Sequence, residues 1–371
     1  MKINNIALEN FRNYDKLELE FDENRNIIVG ENAQGKTNLI EAIYLTAFAK
    51  SFRTNNTGDL VKFGENLANV RVNFEKDDIN KEISIVLRQD GKKMVKIDGK
   101  NAKKTADLLN NVVVIIFSPD DLRIIKDSPE KRRSYIDREL SQIRPMYYEQ
   151  LRNYADVLKQ KNALLKDINS SRNSKTYNED MLNVYDKQLA DFAYEIIRYR
   201  KEFVEMLSRD ASEIMAAISA GKETLRIEYK TSCDYITAPE GREILYKQFY
   251  HNRDKDLRAG FSTLGPHRDD LEFYVNDVDA KKYGSQGQQR TIALSLKLAE
   301  IRIAKQLIGE NPILLLDDVL SELDLDRQKF LVNQIDDVQL FITSAEINDE
   351  VISSLQGNLL EVDNGIIHNR D

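Results

Sequence analysis

Gly30-Glu-Asn-Ala-Gln-Gly35-Lys36-Thr37 decides the fold. It satisfies the pattern GxxxxGK(S/T) without a mismatch, and it lies between a compact β-prone run, Asn26-Ile-Ile-Val29, and a stretch whose apolar residues Leu39, Ile40, Ile43, Tyr44 and Ala47 follow helical spacing. Glycines let backbone N–H groups close around phosphate oxygens, and the start of the following helix adds its dipole. In such a loop Lys36 reaches the terminal phosphates of a nucleotide such as ATP, and Thr37 offers its hydroxyl to Mg2+. Gly30, Glu31, Asn32, Ala33, Gln34, Gly35 and Asn38 complete the expected cradle. Strand, loop and helix make a βα unit, so the chain reads as α/β.

A phosphate loop needs an acidic partner for its metal at the end of another strand. Pro312-Ile-Leu-Leu-Leu-Asp317-Asp318 supplies it: the apolar run is a buried strand, Asp317 is the expected metal ligand, and Asp318 could orient or deprotonate an attacking water. Lys36 and Asp318 are therefore the candidate catalytic residues. Between the two motifs, Ser285-Gln-Gly287-Gln288-Gln289-Arg290 opens a long helix with apolar positions at Ile292, Leu294, Leu296, Leu298 and Ile301. Ser285 and the free N–H groups there form either a second anion site or a plain helix cap.

With 371 residues, 41% of them hydrophobic, the chain can bury a sizeable core and has room for two lobes. Its longest apolar runs, such as Val112 to Phe117, fall far short of the roughly 20 residues of a membrane-spanning helix. The start, MKINNIALENF, has no apolar secretion-signal region, so a cytoplasmic location is expected. One cysteine, Cys233, and three scattered histidines, His251, His267 and His368, argue against redox and structural-zinc functions. The net charge of −8 means that any nucleic-acid contact must come from local basic surface.

Period-two alternation in Val70 to Phe74, Ile83 to Leu87 and Met94 to Ile97, with Asp90-Gly91 and Asp98-Gly99 at turns, predicts an antiparallel sheet beside the βα core. From Ser128 to about Ala220 the sequence becomes long, charged and helix-periodic, broken by the polar run from Asn169 to Ser174. That pattern predicts two long antiparallel helices in an inserted lobe. The expected division is 1–127 and 256–371 for the two parts of the nucleotide-binding head and 128–255 for the inserted lobe.

Arg88 to Lys104 holds seven basic residues against two acidic ones. Lys92, Lys93 and Lys96 are its candidate DNA contacts, to backbone phosphates rather than bases; the alternative is a solvated, lysine-rich sheet edge. Lys131-Arg-Arg133 is a second basic group, on helical segments where acidic neighbours are available.

The order of these motifs, with Ser321-Glu-Leu-Asp324 just after the Asp-Asp strand, resembles the head of an ABC-type ATPase of the SMC-like branch. Leu8-Glu-Asn-Phe-Arg12-Asn-Tyr14, Phe117-Ser-Pro-Asp-Asp-Leu122 and Gly265-Pro-His-Arg-Asp-Asp-Leu271 narrow the likeness to the RecF family of bacterial recombination mediators, over nearly the whole chain. The resemblance implies a mixed-sheet P-loop ATPase head with an inserted helical lobe, binding ATP and Mg2+. It also implies an ATP-dependent head-to-head homodimer on gapped or double-stranded DNA, working with RecO and RecR to load RecA. In such dimers Ser285, Gly287 and Gln288 of one subunit complete the partner's site, and Arg12 reaches nucleotide phosphates; the bland alternative for Arg12 is a surface arginine. Two departures stand out: Asp318 replaces the usual glutamate, which suggests slow hydrolysis, and Thr343 and Ser344 occupy the neighbourhood of the usual switch histidine. The competing reading is a P-loop small-molecule phosphotransferase, which has no need of the Ser285 helix start.

Overall fold

The computed structural model describes residues 1–109, 111–170, 179–335, 337–345 and 355–370. Residues 171–174 of the expected polar loop lie outside that set. The chain forms two compact units, one built from 1–123, 214–222 and 286–371 and the other from 124–213 and 223–285.

In chain order, the first unit begins with β1 (Lys2–Phe11), β2 (Tyr14–Glu20), β3 (Arg25–Val29) and α1 (Lys36–Phe48). It continues through β4 (Leu67–Lys76), β5 (Ile79–Arg88), β6 (Lys93–Ile97), β7 (Lys100–Asn101), α2 (Thr105–Leu108) and β8 (Val114–Phe117). Next come α3 (Pro129–Ile143), α4 (Pro145–Ser170), α5 (Glu179–Ile218), β9 (Leu225–Lys230), α6 (Gly241–His251), α7 (Arg253–Ala259), β10 (Asp270–Val275), β11 (Val278–Asp279) and α8 (Ala280–Tyr283). The chain returns to the first unit with α9 (Gln286–Ile308), β12 (Ile313–Leu316), α10 (Leu325–Asn333), β13 (Leu340–Ser344), β14 (Asn358–Asp363) and β15 (Ile366–Arg370).

Two six-stranded sheets make up the first unit. One has the order β2-β1-β4-β5-β6-β7 and is antiparallel, as the alternating sequence predicts. The other runs β15-β14-β3-β13-β12-β8, parallel except for β15 at its edge. All four residues of both β8 and β12 are buried, the pattern of parallel strands covered on both faces. The register Ser344↔Val29 and Leu316↔Ile342 brings the carboxyl ends of β3, β12 and β13 to one edge of the sheet, where ligands of open α/β sheets bind. The phosphate loop and Asp317 both leave the sheet there.

The helical unit holds its charges in pairs. Lys161 Nζ, fully buried, lies 2.8 Å from Asp186 and 2.9 Å from Asp256, and Arg253 Nε lies 2.6 Å from Asp186. Buried ions must be matched in this way, because an unpaired one would incur a desolvation penalty of several kcal/mol. The Gly265-Pro-His-Arg-Asp-Asp270 motif is the anchor of this unit. Asp270 takes both arms of the buried Arg132 guanidinium at 2.7 and 2.9 Å, and Asp269 accepts from the Ser232 amide at 2.7 Å. His267 is held by Tyr154 Oη at 2.7 Å and the Ser262 carbonyl at 3.1 Å, and burial pushes its pKa down to about 4. The expected return to the head at residue 256 comes instead after residue 285, because β10 pairs with β9 along Leu271↔Tyr229 and Phe273↔Ile227 and Asp256 is tied to Lys161.

Candidate functional site

The phosphate loop is shaped by its glycines and by the neighbours that press on it. Gly30 and Gly35 have φ of 153° and 129°, and a Cβ on Gly30 would collide with the Val362 carbonyl oxygen. Asn13 Nδ2 donates to the Gln34 carbonyl at 2.8 Å, Tyr14 Oη to the Gly35 carbonyl at 3.0 Å and the Gly365 amide to the Gln34 carbonyl at 3.1 Å. The Asn364 amide donates to Gln34 Oε1 at 2.7 Å. Burial pushes the Tyr14 phenol upward, so it stays a donor at any physiological pH. The backbone carbonyls are thus occupied from outside. Lys36 Nζ folds inward and donates to the carbonyls of Gly30 at 2.7 Å and Glu31 at 2.9 Å. Glu31, Asn32 and Ala33 are exposed at the rim, Ala33 with a left-handed φ of 69°. Asn38 Nδ2 donates to Asn13 Oδ1 at 2.8 Å.

The two nucleotide motifs meet. Thr37 Oγ1 donates to Asp317 Oδ1 at 2.9 Å, Thr343 Oγ1 donates to the same oxygen at 3.1 Å, and the Asp318 amide donates to Thr343 Oγ1 at 2.8 Å. Asp318 itself has a left-handed φ of 51°, a conformation uncommon outside glycine, asparagine and aspartate. Burial, helped by the negative charge of Asp318, raises the Asp317 pKa, while the hydroxyls of Thr37 and Thr343 and the charge of Arg53 oppose the shift. A buried carboxylate oxygen facing a threonine hydroxyl is the oxygen-donor set that Mg2+ takes with one or two carboxylates, waters and substrate phosphates. Among the described residues no cluster of three or more acidic, histidine or cysteine side chains forms a ready-made metal cage.

Arg12 is not a loose surface arginine. Its Nε and Nη2 grip both oxygens of Glu41 at 2.8 Å each, and its Nη1 donates to the Asp59 carbonyl at 2.8 Å. Arg53 Nη1 donates to Asn38 Oδ1 at 2.9 Å. Sequence reasoning missed Glu41, Arg53 and the role of Thr343, which the register of β13 against β3 and β12 would have located.

At the start of α9 the Gly287 carbonyl accepts from Thr291 Oγ1 at 2.9 Å and from Arg327 Nη2 at 3.3 Å. Arg327 also donates through Nε to Thr291 Oγ1 at 2.9 Å and pairs with Asp324, whose carboxylate caps α10. Arg290 lies 3.2 Å from Glu322, and Ser321 Oγ donates to the Asp318 carbonyl at 2.7 Å. The Ser321 to Asp324 turn therefore links the Asp-Asp motif to the first turn of α9, which contains Gly287 and Gln288. Ser285 immediately precedes that turn and is the last residue of the helical unit.

The lysine hairpin divides. Lys92 is exposed at the β5–β6 turn, and Lys96 lies half-exposed on β6. Lys93 is three residues from Lys96 on the same strand, so the period of two turns them to opposite faces. Lys93 is itself exposed along its stem, but its ammonium donates to the Ala49 carbonyl, where local desolvation and then repulsion from Lys50 lower its pKa. Lys93 and Lys96 thus leave the strand on opposite faces.

Residues 2–360 match the family described as RecF/RecN/SMC N terminal domain. The DNA replication and repair protein RecF of Halalkalibacterium halodurans is 44% identical over 370 residues, covering 98% of each chain, and that of Clostridium botulinum is 42% identical over 370 residues, covering 99% of each. Among solved structures, one described as the recombination mediator protein RecF-ATP in the RecFOR pathway superposes with a TM-score of 0.91 at 36% identity, covering 100% of this chain and 98% of that one. An Smc head bound to the C-winged helix domain of ScpA shares the fold at a TM-score of 0.57 and 18% identity, covering 100% of this chain and 97% of that one.

Proposed function

Since this chain belongs to the RecF/RecN/SMC N-terminal-domain family, and within it to the RecF proteins of DNA replication and repair, we propose that it is an ATP-gated clamp. It binds ATP with Mg2+, pairs head to head on gapped or double-stranded DNA, and with RecO and RecR promotes loading of RecA. Slow hydrolysis then drives release.

The observation that carries this reading is the bond between Thr37 and Asp317, which joins the phosphate loop to the Asp-Asp strand at one edge of the parallel sheet. Relatives over 40% identical across nearly the full length, and a solved RecF-ATP structure 36% identical, support the ligand and the pathway. Thr37 and Asp317 would hold Mg2+, which when bound neutralises charge on the phosphate oxygens. Lys36 leaves its two carbonyl acceptors to meet the terminal phosphates, a charge-assisted contact stronger than those it gives up. Asp318, with its amide fixed by Thr343, orients the attacking water. Its side chain is one methylene shorter than glutamate, so water is held less closely and turnover is slow. Ser285, Gly287 and Gln288 face the partner's phosphate loop across a two-fold axis.

Sedimentation of the purified protein with ATP and Mg2+, with and without gapped DNA, tests the reading. The clamp sediments as a dimer with ATP and as a monomer with ADP, and Lys36→Ala stays monomeric in both. A wild-type chain that remains monomeric with ATP, Mg2+ and DNA together is not such a clamp.

A further inference from the structure

We infer that Glu41 is a positioning residue that, anchored by Arg12, holds Arg53 beside the phosphate loop to receive an anion. The inference rests on the P-loop reading and adds to it the device that aims Arg53 at the ligand.

Glu41 stands on α1 four residues after Thr37, one helical turn further along the same face. Its side chain is completely buried. A carboxylate in that setting has to be matched by cations and hydrogen bonds. Arg12 provides a two-armed grip at 2.8 Å on each oxygen, the Ser51 hydroxyl donates to one of them, and Arg53 Nη1 stands 3.6 Å away. One negative charge therefore gathers two positive ones, and the surplus sits beside Thr37 and Asn38.

The two arginines differ in freedom. Arg12 has a left-handed φ of 54°, its amide donates to the Leu60 carbonyl at 2.9 Å, and its guanidinium is committed to Glu41 and Asp59. Arg53 has a side chain 45% exposed and spends Nη1 on Asn38 Oδ1 at 2.9 Å, leaving the rest of its planar fork to receive phosphate oxygens. Arg12 thus acts as the fixed member that neutralises Glu41, and Arg53 as the member available to ligand. Removing Glu41 would leave two arginines repelling each other with nothing to hold them at the loop.

Equilibrium binding of Mg-ATP to the full chain, by a fluorescent ATP analogue and by calorimetry, tests this with Glu41→Gln, Arg12→Ala, Arg53→Ala and the two double variants carrying Glu41→Gln. Glu41→Gln is expected to weaken Mg-ATP by roughly tenfold, and each double variant to bind no more weakly than its own arginine variant, the non-additivity of residues acting through one another. Unchanged affinity in Glu41→Gln, or losses that add in the double variants, overturns the inference while leaving the P-loop reading in place. A wild-type chain that binds no Mg-ATP overturns both. Should Glu41→Gln fail to fold, Arg12→Lys, which keeps the charge but loses the fork, takes its place. Arg12→Lys with wild-type affinity for Mg-ATP then overturns the inference, and a loss like that of Arg53→Ala supports it.

Discussion

The hydroxyl of Thr37 and a carboxylate oxygen of Asp317, 280 positions apart in the chain, lie 2.9 Å from each other. Their meeting is imposed by strand order rather than by local sequence, since β3 and β12 are both neighbours of β13. Asp317→Asn keeps a hydrogen-bond acceptor for Thr37 and removes the charge a divalent ion needs. Metal-free ATP should bind the variant as it binds the wild type, whereas the gain in affinity on adding Mg2+ should largely disappear. Calorimetric titrations with and without Mg2+ check this, and an undiminished Mg2+ effect would assign the metal to other residues.

Arg327→Ala is expected to loosen the first turn of α9, because the Gly287 carbonyl and Thr291 hydroxyl lose the guanidinium that ties them to the Asp324 cap. Monomer affinity for ATP should change little, since the variant leaves the phosphate loop intact. ATP-induced dimerisation in analytical ultracentrifugation should weaken at least several-fold. Ser285→Arg should show the stronger form of the same defect, and mixing it with Lys36→Ala subunits should restore part of the ATPase activity, because each mixed dimer keeps one complete composite site.

Lys92 and Lys96 reversed together to glutamate should weaken DNA binding about equally for all sequences and flatten its salt dependence, as expected of phosphate contacts that release counterions. Lys93→Ala should leave DNA affinity unchanged and instead lower the melting temperature slightly, because its ammonium serves the Ala49 carbonyl. Fluorescence anisotropy across a salt series and a thermal melt separate the two effects. A Lys93→Ala protein with weakened DNA binding would contradict the face assignment.

The helical unit carries its own pH dependence. Burial holds His267 at a pKa of about 4, below the ordinary value near 6.5, so the unfolded chain takes up a proton that the folded one refuses. The stabilisation from this group is complete above about pH 6.5 and is lost as pH falls toward 4. His267→Gln, which preserves a hydrogen-bonding side chain, should therefore show a shallower loss of stability across that window. Denaturant midpoints for both proteins at pH 7.5, 6, 5 and 4.5 measure it. Parallel curves would mean that other groups, not His267, govern acid sensitivity.

The phosphate loop, the Asp-Asp strand and the antiparallel sheet were legible because each is a local pattern: glycines at fixed offsets, a continuous apolar run, alternation with Asp-Gly turns. The boundary of the helical unit was not, because the pairing of β10 with β9 spans the helices and turns between Lys230 and Asp270 and leaves no periodic trace. Glu41 escaped notice for a related reason. On a helix as thoroughly buried as α1, a single glutamate among apolar residues looks like a solvated position, and only the approach of Arg12 from another strand end shows that it is an internal counter-ion. Lys93 is the converse case, since a run of basic residues conceals which face of the strand each one takes.

The bonds from Asn364 and Gly365 to Gln34, and the close approach of Val362 to Gly30, have a bearing on biogenesis. A ribosome emits the GxxxxGK(S/T) segment early, yet the walls that shape it come from β14 and the turn after it, with Asn364 following its partner Gln34 by 330 positions. A nascent chain can therefore display the complete motif without possessing a working cradle. A nucleotide that binds only the assembled cradle would therefore stabilise the chain only once β14 has docked beside β3.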